Sequence, residues 1–262
     1  MKVALLGILF FLTALLYASV GFGGGSTYTA LLILAGANIL IIPVISLACN
    51  ILVVSGNTWR YRRAGYIAWA QAWPFMVLSV PMAWIGGRMR VEETVFIGLL
   101  ALALLFAGLS LLFKPNGKPN TTSLPLAQPF ALLVGAGLGL LSGIVGIGGG
   151  IFLAPILHYI GWGKAKEIAA LCSLYILVNS VSGLAGQLIK LDGLEQLELT
   201  RPYWALAPLV LVGGFIGNRM SITVFSQNTV RKMTAILVLF VALRLLWGIA
   251  LEIFSNGTIL NP

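Results

Sequence analysis

The sequence predicts an all-α integral membrane protein built from two inverted five-segment repeats. Hydrophobic residues make up 59% of its 262 residues and charged residues only 9%, whereas about 25% of residues in a soluble domain are charged. The apolar residues form long runs, such as residues 96–113, without the alternation of barrel strands. Backbone groups in lipid need internal partners, so these runs are expected to be helices. A glycine motif that occurs twice indicates the repeat.

The repeat is defined by three matches that occur in the same order. Residues 20–25 (Val-Gly-Phe-Gly-Gly-Gly) match residues 145–150 (Val-Gly-Ile-Gly-Gly-Gly). Downstream, Ala-Cys-Asn at 48–50 matches Leu-Cys-Ser at 171–173, and Ile-Gly-Gly-Arg-Met at 85–89 matches Ile-Gly-Asn-Arg-Met at 216–220. We therefore predict a first membrane repeat at residues 1–113 and a second at 129–262, forming one transport domain. Residues 114–128 are rich in proline, asparagine and lysine and are expected to be a polar connector.

Each repeat divides into five segments, of which the second is short. The first repeat is expected to have segments at residues 3–20, 24–36, 40–56, 66–87 and 95–113. The second is expected to have them at residues 129–145, 149–161, 168–189, 203–217 and 230–253. A short segment of 13 residues reaches about 20 Å, against about 30 Å of hydrocarbon. The N-terminal run is interpreted as the first span and not as a secretory signal, because a glycine cluster follows it.

The distribution of lysine and arginine favours short segments that cross the membrane. If they cross, one side of the membrane collects ten basic residues and the other five, with Arg244 left within a span. If they return to their own side, the division is eight against seven. The positive-inside rule prefers the first arrangement, which inverts the second repeat and places both termini outside. The cluster of Arg60, Arg62 and Arg63 is interpreted as an orientation signal.

Paired glycine-interrupted segments are typical of a transporter's binding site, although glycines also allow close helix packing. A helix that starts at Gly25 or Gly150 has first-turn N–H groups without intrahelical partners and a positive dipole end. Two such ends would bind an anion midway across the membrane without a fixed charge. Asn50 and Ser173 would add neutral hydrogen bonds. The candidate residues of the clusters themselves are Gly23, Gly24, Gly25, Ser26, Thr27, Gly148, Gly149 and Gly150.

At residues 143–157 (Gly-Ile-Val-Gly-Ile-Gly-Gly-Gly-Ile-Phe-Leu-Ala-Pro-Ile-Leu) the chain resembles the TauE/SafE sulfite exporter family of bacterial inner-membrane permeases. The pairs Cys49-Asn50 and Cys172-Ser173 stand where that family usually has Thr-Asn and Thr-Ser, so both cysteines join the candidate substrate-binding residues. The resemblance implies a multi-pass protein of the bacterial inner membrane that transports sulfite, sulfoacetate or related organosulfonates. The two cysteines make thiosulfate a further candidate substrate. The family's proline after each cluster is present here as Pro155 but is replaced by Thr29-Ala30 in the first repeat.

The expected function is secondary transport of small sulfur-containing anions by alternating access. The expected partners are the anion, the lipid bilayer and, as a candidate, a soluble sulfur-handling protein; nucleic acid is excluded because no basic folded surface is present. No cofactor, metal site or enzymatic activity is expected: the chain has a single histidine, His158, and Ser142 lacks a nucleophile elbow. His158 is expected to be a packing residue, and Arg244 to snorkel or pair with a carbonyl.

Two alternatives remain open at this point. The first is a thiol-based redox relay through Cys49 and Cys172, which occupy equivalent positions of the repeat. The second is a passive anion channel.

Overall fold

The computed structural model describes residues 3–112, 128–191, 194–220 and 227–257, and within these ranges it contains helices and no strand. The first half contains α1 (Val3–Val20), α2 (Gly25–Leu34), α3 (Ile42–Arg63), α4 (Trp69–Arg88) and α5 (Glu93–Leu112). The second contains α6 (Gln128–Val145), α7 (Gly150–Tyr159), α8 (Ala165–Lys190), α9 (Leu194–Glu198), a 3-10 turn (Arg201–Tyr203), α10 (Leu206–Met220) and α11 (Gln227–Gly257). The predicted connector lies outside the described residues except for Gln128, where α6 begins.

Four of the described helices, α3, α5, α6 and α8, are long and apolar enough to cross a membrane. A fifth span results if α10 is combined with the bent segment before it, which meets it at 51°. Shorter apolar helices or stretches lie in α1, α2, α7 and α11. The all-helical fold class is therefore confirmed for the described residues, whereas the ten-segment count and the inversion of the repeats stay predictions.

The short second segment of each half is a ten-residue helix that follows a short, glycine-rich non-helical stretch. We call each of these two interruptions of the helical path, at residues 21–24 and 146–149, a chain break, although the polypeptide is continuous there. α2 starts after Gly24 (φ 89°) and α7 after Gly149 (φ 76°), both in the left-handed region that glycine adopts without strain. Each helix ends before another left-handed glycine, Gly36 or Gly161. At 1.5 Å per residue, ten residues reach about 15 Å, so α2 and α7 lie within the fold as half-length helices.

Rows of glycine bring pairs of helices into backbone contact. On α6, side chains at Gly135, Gly139 and Gly143 would overlap carbonyl oxygens of α4. On α10, Gly213 and Gly217 lie equally close to carbonyl oxygens of α1. Small residues at four-residue spacing let helix backbones approach in membranes. The first helix of each half thus packs against the other half: α6 on α4, and α1 on α10.

The remaining contacts also join the two halves. α3 packs along α8, and α5 packs along α11. One apolar cluster combines α5 and α11 with residues at the second chain break, among them Val145, Ile147 and Phe152. Because α2 and α7 pack on α3 and α8 respectively, both chain breaks lie at the centre of the molecule.

Candidate functional site

The starts of α2 and α7 lack side-chain caps. Helix starts usually carry Ser, Thr, Asp or Asn, whose side chain satisfies one of the free N–H groups. Here the residue before each helix is a left-handed glycine, and neither start receives a hydrogen bond from a capping side chain. The N–H groups of Thr27 and Phe152 bond back to Gly24 and Gly149, so the N–H groups of the first two residues of each helix lack an intrahelical or capping acceptor. Together with the positive end of the helix dipole, they favour a negatively charged ligand.

The two glycine clusters touch each other. A Cβ added at Gly25 would lie 2.5 Å from the carbonyl oxygen of Ile147, in the other half of the chain. The side chain of Asn50 lies between the clusters, so closely that a Cβ at Gly23 or Gly25 would overlap its amide. Its Nδ2 donates a 2.9 Å hydrogen bond to the carbonyl of Ile147. Asn50, which is fully buried on α3, thus ties the first half to the broken segment of the second.

A narrow cavity with about 10 Å³ of free volume, about enough for one water molecule, opens beside the start of α2. One wall is made of backbone and small side chains from the first cluster, together with two aromatic residues, and the other of isoleucines from the second half. The lining residues are Tyr17, Phe22, Gly23, Gly24, Gly25, Ser26, Ile147, Ile151 and Ile176. None of them is ionisable at neutral pH. A ligand in this cavity would meet N–H groups and hydroxyls without any fixed charge.

Tyr17 supplies the aromatic hydroxyl of the polar wall. Its oxygen lies 2.8 Å from Thr27 Oγ1 and 3.5 Å from Ser26 Oγ, within hydrogen-bond distance of both. Tyr17 is one turn before the end of α1, so the chain break that follows folds the start of α2 back against it. The hydroxyl groups of Tyr17 on α1 and of Ser26 and Thr27 on α2 therefore lie together at the uncapped start of α2.

The second half lacks this set of hydroxyls. Seven residues before Gly149 stands Ser142, where Tyr17 stands before Gly24, and Ile151 and Phe152 follow where Ser26 and Thr27 do. Ser142 Oγ is buried without a hydrogen-bond partner. The polar groups of the cavity thus come from the first half, and its apolar wall comes from the second.

The predicted site residues divide into three groups. Gly23, Gly24, Gly25 and Ser26 line the cavity, and Thr27 holds the Tyr17 hydroxyl beside it. Gly148, Gly149 and Gly150 follow the cavity residue Ile147 and pack against α8, where a Cβ would crowd Ile176 or the Tyr175 ring. Ser173 instead faces α3, with its hydroxyl 3.2 Å from Thr58 Oγ1.

The cysteines lie in separate apolar clusters. Cys49 packs with Phe10 and Tyr28 in one cluster, and Cys172 packs with Phe75 and Tyr175 in another. Both are free thiols, 3% and 0% exposed, and neither lines the cavity. Their equivalence in sequence therefore does not make them neighbours in one apolar cluster.

The two ionisable residues singled out within apolar segments both lie on the outside of the bundle. Arg244 on α11 is exposed, as snorkelling requires. His158, expected to be a packing residue, is exposed near the end of α7 and is not enclosed by the bundle. The last turn of this short helix reaches the surface of the bundle, where Tyr159 is 85% exposed.

Sequence reasoning missed Tyr17, Phe22 and the three isoleucines of the cavity. A single tyrosine in an apolar run is an ordinary packing residue, and the isoleucines resemble any others in the spans. Only the position of Tyr17, one turn before the first glycine cluster, could have indicated its role.

The family model for sulfite exporter TauE/SafE matches residues 6–245. The chain is 33% identical to "Probable membrane transporter protein y4hK" of Sinorhizobium fredii, over 92% of this chain and 97% of that protein. It is 28% identical to "Probable membrane transporter protein YfcA" of Escherichia coli, over 93% of this chain and 90% of that protein. No solved structure matches significantly. With this match across nearly its whole length, the chain belongs to the TauE/SafE sulfite exporter family of membrane transporters.

Proposed function

We propose that this transporter moves a small sulfur-containing oxyanion, namely sulfite, thiosulfate, sulfoacetate or another organosulfonate, by alternating access. The observation that carries the proposal is the central cavity, where the uncapped start of α2 meets the hydroxyls of Tyr17 and Ser26. The substrate class is supported by the family's description as sulfite exporters.

The chemistry of the cavity suits an anion better than a cation. The start of α2, with its free N–H groups and positive dipole end, and the hydroxyls of Tyr17 and Ser26 lie at its polar wall, and each of them stabilises negative charge. No carboxylate lines the cavity to hold a cation. An anion bound by neutral donors also avoids the large cost of a permanent charge within the bilayer.

Alternating access is supported by the way in which the halves meet. The cavity lies between the first chain break and the isoleucines of the second half, so a movement of one half against the other would change access to it. The exchange of packing partners between the halves, α1 on α10 and α4 on α6, is the pattern that related repeats would produce. In such transporters, access alternates as one repeat rocks against the other around a fixed site.

Uptake of radiolabelled sulfite, thiosulfate and sulfoacetate into proteoliposomes tests the substrate. A saturable flux of one of these anions is the expected result, and the absence of flux for all three in correctly folded protein would contradict the proposal. Vesicles preloaded with the unlabelled anion test the mechanism. With equal K⁺ on both sides and valinomycin present, so that no membrane potential forms, an alternating-access transporter exchanges labelled against unlabelled anion and accumulates the label transiently, whereas a passive channel does not.

A further inference from the structure

Buried polar side chains lie along both α3 and α8, which pack against each other. Membrane helices usually pack through small and apolar side chains, with a few hydrogen bonds as additional contacts. Here seven polar residues on the two helices are at most 8% exposed. They are Asn50, Asn57 and Thr58 on α3, and Ser173, Asn179, Ser180 and Gln187 on α8. We call this set the polar seam, although some of its members also bond outside it: Asn57 bonds the carbonyl of Phe22, and Gln187 that of Gly143.

The two helices run in opposite directions along the seam. Near the end of α3, Thr58 Oγ1 lies 3.2 Å from Ser173 Oγ, near the start of α8. Midway, Asn50 and Ser180 both lie against Gly148, whose added Cβ would be 2.9 Å from Asn50 Nδ2 and 3.1 Å from Ser180 Oγ. The seam therefore passes the second chain break halfway along its length.

Four of the seven seam residues have a polar atom without a partner. These buried atoms are Asn50 Oδ1, Asn179 Oδ1, Ser180 Oγ and Gln187 Oε1. Polar side chains that only join helices use their hydrogen bonds, because an unmade bond in a buried place is costly. The hydroxyls between α2 and α3 behave in that way: Thr29 bonds Ser46, which bonds the carbonyl of Gly25. Three further unpaired atoms, the hydroxyl oxygens of Tyr28 and Ser142 and Asn218 Oδ1, lie singly on other described helices, whereas four lie on the packed pair α3 and α8.

The seam also meets the cavity. Asn50 packs against Gly23, a cavity residue, and Ile176, one turn before Ser180 on α8, lines the cavity itself. An ion leaving the cavity would therefore find polar groups beside it between α3 and α8.

We propose that the transported anion crosses the membrane between α3 and α8, along the polar seam. This rests on the proposed function. In the structure the seam is closed, because α3 packs directly on α8. When the halves separate at one end, water enters that end and satisfies the exposed oxygens, while the amide N–H and hydroxyl groups solvate the anion. The opposite end stays closed by contacts such as that between Thr58 and Ser173.

Access of a charged thiol reagent to the seam tests this route. Thr58→Cys and Ser180→Cys place thiols at one end and at the middle, and the anionic reagent 2-sulfonatoethyl methanethiosulfonate is applied to the purified protein in proteoliposomes. Ser79→Cys is the matched control, since Ser79 is also fully buried but is on α4, where its backbone packs against Gly139 of α6 and its hydroxyl bonds the carbonyl of Met76. Peptide mass spectrometry reads each site separately, and the native cysteines in their apolar clusters are internal references.

The two seam thiols are expected to react about tenfold faster than the Ser79→Cys thiol, because modification of a thiol follows its access to water. Their modification should also block anion flux, whereas treatment of the Ser79→Cys variant leaves flux unchanged. Equal and slow reaction at all three sites in folded protein would overturn the proposed route. The labelling is read without any flux measurement, so labelled seam thiols in a protein that carries no anion would contradict the proposed function and not the water-accessible seam.

Discussion

At the residue scale, the left-handed glycines before α2 and α7 are the most constrained positions of the candidate site. Another residue at such a φ costs about 1–3 kcal/mol. An added Cβ would also lie 2.9 Å from Thr13 Cγ2 at Gly24, or 2.9 Å from the Tyr175 ring at Gly149. Gly24→Ala and Gly149→Ala are therefore expected to lower the thermal midpoint and to abolish most anion flux, as measured on reconstituted protein.

Gly36→Ala is the matched control for these variants. Gly36 has a φ of 73°, so alanine suffers the same backbone strain there, but nothing lies within 4 Å of the added Cβ. This variant should lose stability while retaining flux per folded molecule. Equal flux in the Gly24→Ala and Gly36→Ala variants would mean that the first chain break supports the fold and not the site.

The hydroxyl of Tyr17 is expected to contribute to anion affinity. Tyr17→Phe keeps the ring and removes the group that lies 2.8 Å from Thr27 Oγ1. The loss of one hydrogen bond is worth about 0.5–1.5 kcal/mol, so the KM for anion uptake should rise by up to about tenfold, and the lost bond to Thr27 should lower stability by a similar amount. Tyr159→Phe, on a side chain 85% exposed, is the control and should leave KM unchanged. An unaltered KM in Tyr17→Phe would remove this hydroxyl from the site.

The redox-relay alternative requires both cysteines, whereas anion transport through the cavity does not. A relay needs both thiols, so the double variant Cys49→Ser, Cys172→Ser would eliminate electron transfer across the membrane. Because the two side chains lie in separate apolar clusters and neither lines the cavity, we expect anion flux to persist in this variant. Flux is measured in proteoliposomes, with transfer to an enclosed thiol-reactive acceptor as the second measurement.

Individual site residues could be predicted from the sequence only where they belong to a motif that occurs in both halves. The glycine clusters could be identified because the motif occurs twice, and four of their residues line the cavity. Tyr17 and the isoleucines could not, since their role arises from contacts between segments that are distant in sequence. The pairing of Asn50 with the Ile147 carbonyl, 97 residues apart, is a contact of the same kind.

At the scale of elements, the glycine row of α6 determines how closely that helix approaches α4. A Cβ at Gly139 would collide with the backbone of Ser79, whereas nothing lies within 4 Å of a Cβ at Gly137, on the outward face of the same helix. Gly139→Leu should therefore separate the helices and destabilise the protein by about 1–3 kcal/mol or more. Gly137→Leu should be nearly neutral. Thermal unfolding, monitored by size-exclusion chromatography, gives the midpoint temperature of each variant. Equal midpoints for the two variants would contradict this packing.

The observed helix bounds can be compared with the segments predicted from the sequence. The short second segments were predicted because glycines flank them, and both appear as ten-residue helices. α3 is longer than its predicted segment and continues to Arg63, because amphipathic residues after Gly56 extend the helix beyond its apolar run. The bend of 51° before α10 was not predicted, since its cause is local backbone geometry around Trp204 and not hydropathy.

At the scale of the whole molecule, two contacts bear on the orientation of the halves. Lys166, at the start of α8, lies 5.5 Å from the ring centroid of Tyr66, just beyond the basic end of α3. At the other end of α8, a Cβ at Gly186 would lie 3.1 Å from the backbone nitrogen of Arg88, at the end of α4. The start of α8 is therefore close to the end of α3, and the end of α8 close to the end of α4. This arrangement supports the crossing pattern, with ten basic residues on one side, over the returning pattern.

Labelling of single cysteines from each side of the membrane tests this orientation. Arg62→Cys and Lys166→Cys should react with a membrane-impermeant maleimide only in inverted vesicles, and Arg90→Cys only in spheroplasts, because the more basic side is expected to face the cytoplasm. The native cysteines add little background, since both are buried. If all three positions react from the reverse sides, the repeats are inverted but the chain is oriented oppositely. If Arg62→Cys and Lys166→Cys react from different sides, the short segments return to their own side and the inverted arrangement is wrong. The end of α3 and the start of α8, which are close together in the structure, would then lie on opposite surfaces of the membrane.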